Sequence, residues 1–371
     1  MITIKEINSP AEVKEFVKFP WRIYRDDAYW VAPLIRDQIN FFNPEKNPFY
    51  QHSRVQLIMA YENGRPVGRL SVHENTLHVK RHEEPVGFFG FFECVNDYTV
   101  AKAMFDYAKK WLKEKNYCIM RGPANFTING EYALLVDGFD QSPMIMMTYN
   151  PPYYSKLLEQ YGFISAQDMY AFSKSCIEPL PANVLSMASE VEKNYPDLVV
   201  RKADLSDLKN EIKIVHQIYA QAWDKNWGAT PMSEDEILKL ADDLKHILDP
   251  DIAFIMEYRG QPIGFSLSIP NANEALKSAN GRLFPLGLLK ILWKKRQIKT
   301  FRVLVMGVLE EHRHLGFDTV FYKKTWEQTK KKGYQWAEMS LINESNIPMR
   351  RVLEWLGAKI YKTYRMYDSH L

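Results

Sequence analysis

Cysteine is scarce in this chain. Its three cysteines, Cys94, Cys118 and Cys176, are odd in number and far apart, which excludes a disulfide framework. They fit buried thiols in a reducing cytoplasm, the expected location. No Cys-x-x-Cys occurs, so no structural zinc, and no metal cofactor, is expected. Strong charge imbalance is missing too: the net charge is +3, which gives no reason to expect a nucleic-acid binder. Long apolar runs are absent. None approaches the roughly 18 residues of a membrane span. The opening residues, MITIKEINSPAEVKEF, carry acids and no apolar block, unlike a secretory leader. What is present is the material for a large core. The 371 residues are 46% hydrophobic and 13% aromatic, enough for two domains or one large one.

The chain repeats itself. IMAYENGRPVGRL (58–70) and IMEYRGQPIGFSL (255–267) share one grammar: an apolar run, a turn with glycine, then Pro, an aliphatic residue and Gly. Such runs around a permissive turn read as a hairpin. Gly64, Pro66 and Gly68 recur as Gly260, Pro262 and Gly264, each 196 positions later. Ile4 and Val200 keep the same offset. YYSKLLEQYGF (153–163) resembles MRRVLEWLGAK (349–359) near the end of each half. Ordered self-similarity at so long a period implies a duplicated unit. Each half carries one insertion, 122–142 in the first and 271–300 in the second.

The expected order in each half is a strand, one or two helices, a hairpin, a third strand of its sheet, a helix, another strand and a last helix ending in glycine. In the second half the opening helix is SDLKNEIKIVHQIYAQAW (206–223). Ala101, Met104, Phe105, Ala108, Trp111 and Leu112 fall on one helical face and read as core. Alternating strands and helices predict an α/β (α+β) fold, a mixed sheet flanked by helices. The predicted division is a first half at 1–178, a linker with a short helix at 179–197, and a second half at 198–371.

Near the end, an apolar strand RVLVMGV runs into HRHLGFD (312–318) and a helix. Backbone N–H groups at a helix start make an anion cradle, and Gly316 lets backbone approach a phosphate. An ordinary strand-to-helix turn reads the same way, so the motif needs context. The context is the order hairpin, Val-x-x-x-x-Arg-x-x-Gly, helix, strand, Asn, helix, Leu-Gly. It resembles the GNAT N-acyltransferase superfamily, and the whole chain is similar to its tandem members. The resemblance is fuller over 198–371 than over 1–178.

The resemblance implies two tandem GNAT-like units, each a mixed, mostly antiparallel sheet. It implies acetyl-CoA or another acyl-CoA as co-substrate, held by Val308, Leu309, Arg313, His314, Leu315, Gly316, Phe317, Asp318 and Asn346. Two positions depart from the family pattern. Asp318 stands where a small residue is usual, and an acid there repels a pyrophosphate unless it caps the helix. Leu353 stands where many members carry a tyrosine that protonates the leaving thiolate.

Transfer from a thioester to an amine needs a base, oxyanion stabilisation and a held thiolate. The family's oxyanion N–H would fall near Gly307, Val308 and Leu309. The strand FRVLVMGV carries no carboxylate, so no catalytic residue is assigned. The first half has no Arg-x-x-Gly at the matching place, and it is read as a structural or substrate half. Asn125, Asn129 and Glu131 in its insertion are candidates to line a cleft between the halves, against a plain structural hairpin. The second insertion, GRLFPLGLLKILWKKRQIK, is apolar and then basic. It reads as a lid or packing helix, or as an amphipathic helix on anionic lipid or an acyl tail. The leading function is N-acyl transfer to an unidentified small-molecule or peptide amine by a monomer. Two alternatives stay open: aminoacyl transfer from charged tRNA, and acyl-CoA or partner binding without turnover.

Overall fold

In the computed structural model, which describes residues 1–222 and 227–371, thirteen strands join one sheet. The first half supplies β1 (Ile2–Glu6), β2 (Val55–Glu62), β3 (Arg65–His73), β4 (Val86–Cys94), β5 (Ile119–Gly122), β6 (Leu134–Asp137) and β7 (Ile164–Ser175). The second supplies β8 (Leu198–Lys202), β9 (Ala253–Tyr258), β10 (Gln261–Pro270), β11 (Thr300–Val308), β12 (Trp336–Asn343) and β13 (Lys359–His370). Helix Leu208–Ala222 covers the expected opening helix of the second half, whose last residue, Trp223, lies outside the described residues.

The repeat is visible in the hydrogen-bond register. Ile2 pairs with Glu62 and Leu198 with Tyr258, the same partners moved by the repeat offset. The hairpin turns are Asn63–Gly64 and Arg259–Gly260, and all four residues have positive φ. That backbone matches the twist of the flanking strands, and the glycines adopt it without a Cβ penalty. Past each turn the register slips at Val67 or Ile263. A bulge at the same place in both halves is a shared feature of the unit.

The strand order is β1-β2-β3-β4-β5-β13-β7-β12-β11-β10-β9-β8, with β6 beside β13. The last strands are exchanged. β7 of the first half pairs with β12 of the second, and β13 of the second pairs with β5 of the first. β7 and β13 then pair with each other, which makes the sheet continuous. A core cluster straddles this seam and combines Val86, Phe88 and Leu135 with Met169, Tyr364 and Met366. Helix Tyr98–Lys113 buries Ala101, Met104, Phe105, Ala108 and Leu112, and Trp111 packs partly buried against the same cluster. The inter-half segment contains helix Ala182–Asn194, which packs beside helix Asp318–Lys332.

Candidate active site

Two parallel pairs break the antiparallel order, β4 with β5 and β11 with β12. The second is paired only from Thr300–Trp336 to Val303–Met339. Beyond that point β11 bulges at Leu304, which lies between Val303 and Val305 in the register with β10. A bulge leaves the extra residue out of the ladder and bends the strand. The strands therefore part, and a cavity of roughly 330 Å³ opens at the parting. Its walls come from helices Leu208–Ala222 and Glu234–Leu244, from β10 and β11, and from 128–132 of the first half. Most of the lining is aliphatic or aromatic, including Ile212, Val215, Leu240, Leu244 and Phe265.

Polar groups enter this cavity sparingly. Arg302 is buried at the parting. Its Nε donates to Ser340 Oγ at 3.0 Å, and its Nη1 donates to the carbonyls of Ile145 and Met146. Glu338, also buried, lies 3.6 Å from Arg302 and accepts from Ser340 Oγ and Tyr361 Oη. This network ties β11 and β12 to the first half and brings the Arg302 guanidinium, paired with Glu338, to the cavity wall. Nothing in the sequence marks it. Single charges inside apolar strands look like exposed edges until the sheet is assembled, since Arg and Glu are rarely fully buried unless paired.

The first half fills its own parting. Beyond Phe88 and Arg121 the segment 124–133 lies against β4. Ala124 N donates to Phe89 O, and Phe91 N donates to Asn125 Oδ1, each at 2.8 Å. A Cβ on Gly90 would stand 1.9 Å from Ala124 O, so glycine permits the approach. Asn125 is thus a clasp within the first half. Asn129 lines the cavity, and its Nδ2 donates to Thr230 O at 2.9 Å. Glu131 sits between cavity-lining Gly130 and Tyr132 and turns to Asn125 Nδ2 at 3.4 Å. Its side chain is exposed to solvent. The protein atoms around it raise its carboxyl above the usual range by desolvation, which solvent access weakens, and Asn125, Arg302 and Arg69 oppose the rise.

The turn after β11 is a tight helical one, Glu310–Leu315, closed by Gly316 at φ +72°. Its parts are mostly engaged. Val308 is buried, and its carbonyl accepts from Arg313 Nε at 2.9 Å. Leu309 N donates to Ile263 O, so this N–H is taken. Leu315 and Phe317 belong to a core cluster with Val191, while His314 is exposed. Asp318 opens helix Asp318–Lys332 and accepts from Tyr322 Oη at 2.8 Å. Burial raises the Asp318 carboxyl; Tyr322 and the backbone N–H groups of Asp318 and Thr319 oppose the rise. Asn346 caps helix Ile347–Trp355 through Met349 N, which is worth about 1 kcal/mol. Leu353 is buried with Phe172, Leu180 and Val184 and offers no proton.

His78 and His82 stand four residues apart on helix Thr76–His82, a metal-like spacing passed over in the sequence. Both are used across the halves instead. His78 Nδ1 lies 3.2 Å from Thr230 Oγ1, and His82 Nε2 lies 2.8 Å from Ala229 O. Among the described residues no group of three or more His, Cys, Asp or Glu side chains is placed to hold a metal ion.

No family model matches the chain. The bacterial ceramide synthase of Caulobacter vibrioides (strain NA1000 / CB15N) is 32% identical over 378 residues, covering 100% of this chain and 98% of that protein. Protein YghO of Escherichia coli (strain K12) is 32% identical over 368 residues, covering 97% and 93%. Among solved structures, a tandem GNAT protein from the clavulanic acid biosynthesis pathway, without AcCoA, superposes with a TM-score of 0.57. It covers 100% of this chain and 98% of that one at 10% identity, a likeness of fold. Two full-length relatives above 30% identity give the assignment, and the two-unit architecture gives the fold: this chain has the tandem GNAT fold and belongs to the family of the bacterial ceramide synthase and YghO.

Proposed function

We propose that the protein joins a fatty acyl group to the amine of a long-chain amino alcohol, with acyl-CoA as donor. The observation that carries this reading is the apolar cavity at the parting of β11 and β12. A small polar acceptor would gain nothing from walls of Ile212, Leu240, Leu244 and Phe265. An alkyl chain gains roughly 0.8 kcal/mol for each methylene it buries there. The name of the Caulobacter relative points the same way, because a ceramide is the amide of a fatty acid and a long-chain amino alcohol.

Glu131 is assigned as general base. Its raised carboxyl is better matched to an amine than an ordinary one, and it lies beside two cavity-lining residues. The neutral amine attacks the thioester carbon, and its nitrogen gives up one proton to Glu131 as the C–N bond forms. A backbone N–H at the Leu304 bulge, left out of the ladder, is assigned to the developing oxyanion. The C–N bond forms as C–S breaks, and the thiolate takes a proton back from the Glu131 carboxyl. The cradle fits the donor in part. Gly316 and the start of helix Asp318–Lys332 suit a pyrophosphate, whereas the Asp318 carboxylate adds an anion at that helix start, and Thr319 N already donates to Gly316 O. That observation favours a second reading, a donor without pyrophosphate such as aminoacyl-tRNA.

The test is incubation with palmitoyl-CoA and sphinganine, reading amide by mass spectrometry and free thiol by colour. Amide and thiol in equal amounts are expected. Silence with every acyl-CoA, together with transfer from aminoacyl-tRNA, would install the second reading.

A further inference from the structure

The insertion in the second half contains a short helix, Gly287–Lys295, most of whose large apolar side chains are exposed. Around it Phe284 is 87% exposed, Leu289 63%, Trp293 61%, Leu286 58% and Leu292 54%. Five large apolar side chains gathered this way form a patch of the kind that marks an interaction site. The base of the insertion is firmly held. Lys277 Nζ donates to Ala28 O and Ser142 Oγ, Asn273 Nδ2 to Pro143 O, and Trp21 Nε1 to Asn280 Oδ1. A rigid base that presents a bare apolar tip is built for an occupant.

We propose that this tip docks on an anionic lipid surface. Three observations select lipid. The apolar tip is ringed by Arg282, Lys290, Lys295 and Arg296, all exposed, and no acid occurs between Glu274 and Glu310. Apolar residues with tryptophan on one side and cations on the other are the signature of a helix lying in the bilayer interface. Each such cation adds about 1 kcal/mol near an anionic surface. A second copy of the chain is disfavoured by the same cations, because a two-fold contact sets like charges against each other. Among the described residues no helix is long and apolar enough to cross a membrane, so the contact is superficial. The third observation is position. Lys295 Nζ donates to His246 O at 2.8 Å, in the loop between Leu244 and Leu248, and both of those leucines line the cavity. The docking face therefore borders the cavity wall, where an alkyl chain could pass from the bilayer. Docking itself does not depend on the reaction proposed above.

The experiment is flotation of the full-length protein with vesicles of phosphatidylcholine alone or mixed with phosphatidylglycerol, and no turnover is read. Wild type is expected to float with the mixed vesicles and to be released by high salt. Lys290→Glu/Arg296→Glu should lower partitioning at least about 30-fold, the worth of two interfacial cations. Leu289→Glu/Trp293→Glu should abolish it. All four positions are surface sites, and unchanged melting would show that each variant folds. Wild type that stays below both vesicle types, or variants that float like wild type, would overturn the proposal. A dimer by light scattering that Leu289→Glu/Trp293→Glu breaks, without vesicle binding, would give the face to a second copy.

Discussion

Tyr322 donates its hydroxyl to Asp318 Oδ2 across one turn of helix, at 2.8 Å. This holds a carboxylate in the first turn of the helix that follows the Gly316 turn. A helix start stabilises one anion well and a second one beside it poorly. On the cradle reading, Asp318 and a donor pyrophosphate place two anions at one helix start. Asp318→Gly should therefore tighten CoA binding about fivefold, on the scale of roughly 1 kcal/mol for one helix-end charge. Calorimetric titration of both proteins measures this directly. Equal affinities, or weaker binding by the glycine variant, would place the pyrophosphate elsewhere. Gly316→Asp adds an anion at the same turn and should abolish binding.

Glu131 sets the acid limb of the pH–rate profile if it is the base. A base works deprotonated, so activity falls as pH drops through its pKa. Partial desolvation raises that pKa above the ordinary carboxylate range, so the limb should lie above pH ~4.3. Glu131→Gln should lower kcat about 10²- to 10⁴-fold and remove the limb. Its melting temperature should hardly change, because the side chain makes one long hydrogen bond, 3.4 Å to Asn125. A glutamine variant with wild-type kcat and the same limb would free Glu131 from this role.

The parts legible in the sequence are those with local rules. Asn63–Gly64 and Arg259–Gly260 mark both hairpins because a tight turn with positive φ demands such residues. The Ala101-to-Leu112 stripe marks its helix by spacing, and Gly162 and Gly357 mark helix ends by their positive φ. Gly316 marks the turn after β11 by its positive φ, but Asp318 turning inward onto Tyr322 is a side-chain choice that spacing does not encode. Partner choice was hidden for a different reason. A duplicated unit offers each strand two equivalent neighbours, and nothing in β7 or β13 says which half it joins. Arg302 and Glu338 were hidden likewise, since their pairing exists only once β11 and β12 meet.

Exchange of β7 and β13 makes the halves mutually dependent. The fragment 1–178 lacks β13, so β5 loses its neighbour; the fragment 198–371 lacks β7, so β12 loses its own. Each would expose an unpaired strand edge and part of the seam core around Met169 and Tyr364. Expressed singly, both should aggregate or show no cooperative unfolding. Expressed together, they should copurify and melt as one. A sharp unfolding transition in either isolated fragment would show that exchange is dispensable for that half.

His73 and His78 predict how the fold responds to acid. His73 is fully buried, between Phe49, Phe88 and Phe126. Burial pushes its pKa down to about 3; burial, helped by His82 and Arg121, does the same to His78. Unfolded, each titrates near pH ~6.5. Between these limits the unfolded chain binds more protons than the folded one. Stability is complete above pH ~6.5 and is lost as pH falls towards about 3, by up to about 1.4 kcal/mol per pH unit for each histidine. Urea midpoints measured from pH 7 down to pH 4 would follow this slope. His73→Leu keeps an apolar filling of similar size but cannot take the proton. Its midpoint should fall less steeply, by the share of one histidine. An unchanged slope would mean that His73 reaches a proton acceptor in the folded chain, and that the acid sensitivity arises elsewhere.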